Sequence, residues 1–518
     1  MKMAAVESGL QEVQREPSEA LPNVVQNNGA EIIPDHEPRL SESEWVISIK
    51  EKLGKVQDEE AHSFRDLSIY KFPHCLKNGE DKAWVPQIVS LGPYHHGMKH
   101  LSEMEWHKWR CLRRILHRTK HEIGLYLNKV KEVEKRVRAC YEGHISMSSD
   151  EFVEMIVLDG CFVIELFQGF AAEGFKGAFN PSKDPLFKRL AAKGFEELGY
   201  SSNDPVFSMR GSILQIQRDM IMLENQIPLF ILELLLGLQR GHPYQAELVA
   251  ELAIKFFDPL MPKLYHSEED DSSILLKMSP SIMAHCLEVF RRSLMPKWSR
   301  SKHMTNQWPQ SRRLLTLCLS ELREAGIQIR CKTYAKSWGD IEFTNGTLYI
   351  PPLEIHEGTK SLFLNLIAFE QSHLKFRHSE WSNYVTSYVI FMHNLIKSPE
   401  DVLHLCNRKV IEHCLGSDAE VADLFHRLCQ EVAFDINGSY LYNLHELVER
   451  YCRQKFYSSE FSWRGRLAKK WNAWSVILEE KYFDNPWSII SVIAAVVLLV
   501  LTFLQALYAV YGYYRPRP

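Results

Sequence analysis

Residues 482–518 read YFDNPWSIISVIAAVVLLVLTFLQALYAVYGYYRPRP, and no charged side chain falls between Asn485 and Tyr514. An α-helix rises about 1.5 Å per residue, so about 20 apolar residues match a hydrocarbon core of roughly 30 Å. Trp487, Ile490, Ile493, Val497, Leu501 and Leu504 lie in this stretch, Pro486 suits a first helical position, and tyrosines cluster at the far end. The sequence therefore predicts one carboxyl-terminal transmembrane helix over 486–511, followed by a short tail, 512–518.

Orientation follows from flanking charge. Arg464, Arg466, Lys469 and Lys470 precede the stretch and only Arg515 and Arg517 follow it, which favours a cytoplasmic amino-terminal body. The first residues, MKMAAVESGLQEVQREPSEA, hold no apolar signal-peptide core. The expectation is a single-pass, tail-anchored protein, without a choice between plasma and internal membranes. Interleaving of those basic residues with Trp471 and Trp474 across 461–485 suits an anionic membrane surface, so membrane lipid is an expected partner.

The chain has 518 residues, 45% hydrophobic and 24% charged, with a net charge of -4. A near-neutral balance gives no electrostatic reason to expect nucleic-acid binding. Its 11 cysteines are odd in number and form no C-x-x-C pair, which reads as reduced thiols rather than a disulfide or zinc framework.

Residues 1–40 are polar and proline-punctuated and read as a disordered tail. SESEWVISIKEKL then opens a helix with Trp45, Val46, Ile49 and Leu53 on one face, the start of a helical body, 41–460, of two lobes. An extended, turn-rich passage (residues 69–97) follows, punctuated by Pro73, Pro86, Gly92-Pro93 and Gly97. Two stretches, 150–170 and 215–238, are apolar nearly all round and read as central core helices, whereas 175–208, 266–273 and 297–313 read as polar surface insertions. One β element is explicit: DIEFTNGTLYI alternates around Asn345-Gly346, which predicts a hairpin pairing 343 with 348, with GIQIR a candidate third strand. The fold class is mainly α, with a minor α+β component from this hairpin and the carboxyl-terminal membrane helix.

In order along the chain come WVPQIVSLGPYHHG, EFVEMIVLDGCFVIELF, RDMIMLENQIPLFIL, NLIAFEQSH, YVTSYVIFMHNLI, LGSDAEVADLF and YFDNPWSIISVIAAVVLL. This ordered set resembles the plant family called domain of unknown function 247, over roughly residues 45–514. The resemblance implies a plant protein with a mostly helical body and a carboxyl-terminal membrane helix. Some members are implicated in self-recognition during plant reproduction and others in growth or stress responses. It supplies no catalytic residue to carry over.

The residues themselves offer weak catalytic candidates. Asp159 and Glu165, Asp219 and Glu224, and Glu370 fall within apolar helices, where a carboxylate needs partners or a raised pKa. Satisfied structural networks are the plain reading; Asp219, Glu224 and Glu370 acting as acid and base in a hydrolase are the sharper one. No nucleophile elbow, phosphate loop or dinucleotide fingerprint is present. His95-His96 sit in a turn whose adjacent side chains should diverge, so no metal ligand and no cofactor is assigned. The function read from sequence is a membrane-anchored interaction or recognition protein with an unidentified protein partner; the alternative is a hydrolase-like enzyme.

Overall fold

The computed structural model describes residues 44–50, 53, 67–77, 81–173, 204, 206, 210–241, 246–260, 284–296, 318–335, 337–372, 383–434, 439–460 and 486–514. The expected tail at 1–40, the basic-aromatic segment at 461–485 and most of the polar insertions lie outside them. Residues 44–50, in a first unit that ends at Glu60, are helical, and Trp45 is 72% exposed. The remainder is the second unit.

In the second unit the helices are α1 (Ser102–Thr119), α2 (Ile123–Glu132), α3 (Glu134–Arg138), α4 (Ser149–Glu173), α5 (Arg210–Met220), α6 (Leu229–Arg240), α7 (Ala246–Phe257), α8 (Cys286–Ser293) and α9 (Leu319–Glu324). After the strands β1 (Gln328–Cys331), β2 (Glu342–Thr344), β3 (Thr347–Ile350) and β4 (Leu353–Ile355) come α10 (Glu357–Ser372), α11 (Tyr384–Leu395) and α12 (Pro399–Asn407). Strand β5 (Ile411–His413), then α13 (Asp418–Leu428), α14 (Tyr442–Glu460) and α15 (Pro486–Tyr514) complete the order.

Helix α4 is the axis of the amino-terminal part. It is buried on every side from Phe152 to Gln168 apart from Glu154, as an all-apolar helix requires, and α1, α2, α6 and α7 pack around it. Phe167, Phe256, Phe257 and Phe290 join α4, α7 and α8 through ring contacts of 5.2–6.2 Å. Helices α10, α11 and α13 pack together in the carboxyl-terminal part. One contiguous cluster of buried apolar residues runs from Ile69 to Cys452.

The hairpin forms as the alternation predicts. Phe343 pairs with Leu348, and Asn345 and Gly346 both have positive φ (52° and 76°), as a tight two-residue hairpin turn demands. GIQIR supplies β1, which pairs in parallel with β3, giving the order β1-β3-β2. A second, two-stranded parallel pairing joins β4 to β5.

The expected membrane span is corrected. Residues 486–514 are helical, but among the described residues no helix is long and apolar enough to cross a membrane. Val497, Leu501 and Leu504 are exposed on α15; the side chains of Trp487, Ile490 and Ile493 lie outside the described set. The transmembrane part of the fold class and the single-pass, tail-anchored placement are therefore withdrawn, and the orientation argument, which presupposes a span, goes with them.

Candidate functional site

Among the described residues the passage 84–97 pairs with no strand, yet much of its backbone runs through the interior. A buried N–H or C=O without a partner is costly, so side chains must stand in for a neighbouring strand. They come from α1, α4, the end of α5 and the turn that follows it. Asp219 accepts hydrogen bonds from the backbone N–H groups of Gln87 (3.0 Å to each oxygen), Ile88 (2.6 Å) and Val89 (3.0 Å). Asn225 accepts from Leu91 N–H at 2.6 Å and donates to Val89 C=O at 2.9 Å, as a paired strand would. Asp159 accepts from Gly92 N–H at 2.9 Å. Lys108 donates to Ser90 C=O at 2.7 Å and to Asp159 at 2.6 Å.

These four side chains explain why polar residues fall among buried apolar ones. Asp159 and Asp219 are 1% exposed, Lys108 and Asn225 0%. Burial pushes the Asp219 carboxyl up to about 6, against the pull of the N–H groups of Val89, Gln87 and Ile88. Burial likewise raises Asp159, and the charge of Lys108 opposes the rise.

Gly92 ends the segment with φ +72°. A Cβ there would meet the Gln226 carbonyl oxygen at 2.7 Å and the Tyr141 hydroxyl at 2.9 Å, so the close approach itself requires glycine. In the following turn the adjacent histidines diverge: His95 is buried and His96 exposed.

Glu224 sits at the edge of the same network. It accepts from Phe72 N–H at 2.7 Å, with His95 Nε2 at 3.4 Å and Lys77 Nζ at 3.7 Å. Burial pushes its pKa up, but His95, the Phe72 N–H and Lys77 together hold it below the ordinary value. Glu370 belongs elsewhere: it lies in α10, and its carboxylate meets the start of α11. It pairs with Arg291 Nε at 2.8 Å and accepts from Val385 N–H, Thr386 N–H and Thr386 Oγ1 at 2.6–3.1 Å. Glu165 pairs with Arg118 at 2.8 Å.

Asp219 and Glu224 thus lie in one network and Glu370 in another part of the fold, and each carboxylate is met by protein donors. In this geometry Asp159 and Asp219 stand in for a strand partner along residues 87–92, and Glu370 ties α10 to Arg291 and the start of α11.

Sequence reasoning missed Lys108 and Asn365. Asn365 accepts from Leu223 N–H at 2.9 Å and donates to Ala83 C=O at 2.8 Å, tying α10 to both ends of the network. Lys108 has a signal in hindsight: it shares one face of α1 with the buried Met104, Cys111 and Ile115.

Among the described residues, the outer face of α1 is open to solvent. Trp106 is 63% and Trp109 48% exposed, and Arg113, His117 and Lys120 continue the same stripe outward. Arg110 lies over the Trp106 ring at 4.9 Å, a cation–π contact that holds the indole against the helix.

A family model described as "plant protein of unknown function", DUF247, matches residues 69–501. UPF0481 protein At3g47200 of Arabidopsis thaliana is 29% identical over 445 residues, covering 82% of each chain. Putative UPF0481 protein At3g02645 of the same plant is 22% identical over 499 residues, covering 80% of this chain and 87% of the relative. No solved structure matches.

Proposed function

The chain belongs to DUF247, a family of plant proteins of unknown function, and from that premise we propose that it is an interaction or recognition protein whose docking surface is the exposed aromatic-basic stripe of α1. The observation that carries this reading is the exposure of Trp106 and Trp109 side by side on a helix whose opposite face is anchored in the core by Lys108 and Ile115. Paired exposed indoles on a rigid element are typical anchors of protein interfaces. Arg113, His117 and Lys120 beside them match a partner segment rich in Asp and Glu.

A photo-crosslinker placed at residue 106 in plant cells tests the reading, with residue 403, an exposed leucine on α12, as the comparison site. The expected result is a discrete adduct from 106 only, lost when Arg113→Glu and Lys120→Glu reverse the charge. No discrete adduct from 106, or the same adduct from 403, rejects the stripe as the docking surface.

A further inference from the structure

We propose that Cys406, His413 and Asp418 form a binding site for one divalent metal ion of the zinc class. The thiol, imidazole and carboxylate ligand atoms of these residues all lie within 4.8 Å of one another, and all three residues are partly buried. The proposed docking surface on α1 does not involve them.

Three separate elements deliver the ligands. Cys406 lies in the last turn of α12, His413 ends β5 and Asp418 is the first residue of α13. The backbone holding them is determined without an ion. Lys409, with φ +58°, turns the chain out of α12, and Val410 N–H closes that turn on Leu405 C=O at 2.9 Å. His413 is fixed by the pairing of β5 with β4, opposite Ile355. Ser417 caps α13, its side chain accepting from Glu420 N–H at 3.4 Å.

The donor set selects the ion. Thiolate and imidazole are poor ligands for calcium or magnesium and good ones for zinc and its neighbours. On coordination the Cys406 thiol gives its proton to solvent, so thiolate and carboxylate together balance a dipositive charge while the imidazole stays neutral. His413 Nε2 and Asp418 Oδ1 now stand 2.8 Å apart, with side chains 14% and 31% exposed, a distance set by the hydrogen bond between them. Two nitrogen or oxygen ligands of a tetrahedral zinc, with bonds of about 2.0–2.1 Å, lie about 3.3 Å apart. Opening by about half an ångström, within side-chain adjustment, admits the ion. Three protein ligands leave a fourth position for water.

Cobalt(II), a spectroscopic stand-in for zinc, and zinc itself are the probes, with the full chain stripped of metal. The expected result is one cobalt per chain with a thiolate-to-cobalt charge-transfer band. Cys406→Ser should abolish the band, His413→Ala should weaken binding at least tenfold, and Cys75→Ser should leave both unchanged. Absence of the band, or its survival in Cys406→Ser, overturns the proposal. Alkylation of the unmutated protein, read at the Cys406 peptide by mass spectrometry, needs no variant to fold: zinc should slow it and a chelator restore it. Equal rates with and without zinc overturn the site.

Discussion

Lys108 Nζ lies 2.6 Å from Asp159 Oδ1, and both side chains are excluded from solvent. The pair is also the hinge pin of the strandless passage, since Lys108 holds Ser90 C=O and Asp159 holds Gly92 N–H. Removing one partner leaves a buried charge uncompensated, which costs about 3–5 kcal/mol. Lys108→Met is therefore expected to lower stability by that amount in denaturant unfolding. Lys108→Met combined with Asp159→Asn should recover part of the loss, because no full charge then remains buried. Equal destabilisation by the single and the double variant would show that the ion pair is not the cause.

Asp219 is expected to act on the backbone rather than on a substrate. Asp219→Ala leaves the N–H groups of Gln87, Ile88 and Val89 without their acceptor, each group costing about 1–3 kcal/mol when it stays buried. The passage should open locally, so amide exchange at 87–89 should accelerate more than exchange in the interior of α4. Unchanged exchange at those three amides would remove Asp219 from the structural role.

These two sites show where the sequence was legible and where it was not. The burden was visible: a carboxylate amid Met220, Ile221 and Leu223 must find a partner. The partner was not, because it is the main chain of residues 87–92, and backbone N–H groups leave no signature in a sequence. The hairpin was readable because a two-residue alternation and an Asn-Gly turn agree over adjacent residues. The β4–β5 pairing was not, since each strand is three residues long and the partner lies beyond three helices. The apolar carboxyl-terminal run gave helix correctly from composition, but composition alone could not establish a span. Cys406, His413 and Asp418 carry no recognised ligand spacing; only the passage from α12 through β5 to α13 brings them together.

Gly346 offers a test of the hairpin. A Cβ at this position would stand 2.6 Å from the Tyr451 hydroxyl and 3.1 Å from its Cζ, in a residue already at φ +76°. Gly346→Ala should destabilise by about 1–3 kcal/mol, the usual cost of backbone strain of this kind. Tyr451→Phe removes the nearest atom but not the φ penalty. In a double-mutant cycle it should return part of the loss, whereas complete additivity would mean that the contact with Tyr451 contributes nothing.

His285 sets a pH dependence of definite sign. It is fully buried, its Nε2 lies 3.0 Å from Ser68 C=O, and its Nδ1 accepts from Glu288 N–H at the start of α8. Burial lowers its pKa from 6.5 to about 4, against the opposing charge of Glu288. Between those values the unfolded chain binds the proton and the folded chain does not. Stability contributed by the neutral histidine is therefore present above pH 6.5 and is lost as the pH falls towards 4. Asp219 works the other way: its raised folded pKa means that stability falls as pH rises from 3.8 to about 6. The two are separated by comparing the protein with His285→Asn, which keeps a capping side chain but cannot titrate. The stability difference between them should grow with pH across 4 to 6.5, by up to about 3 kcal/mol for a shift of this size. A difference flat across that window would mean that His285 titrates alike in the folded and unfolded chain, and the buried neutral imidazole would have to be abandoned.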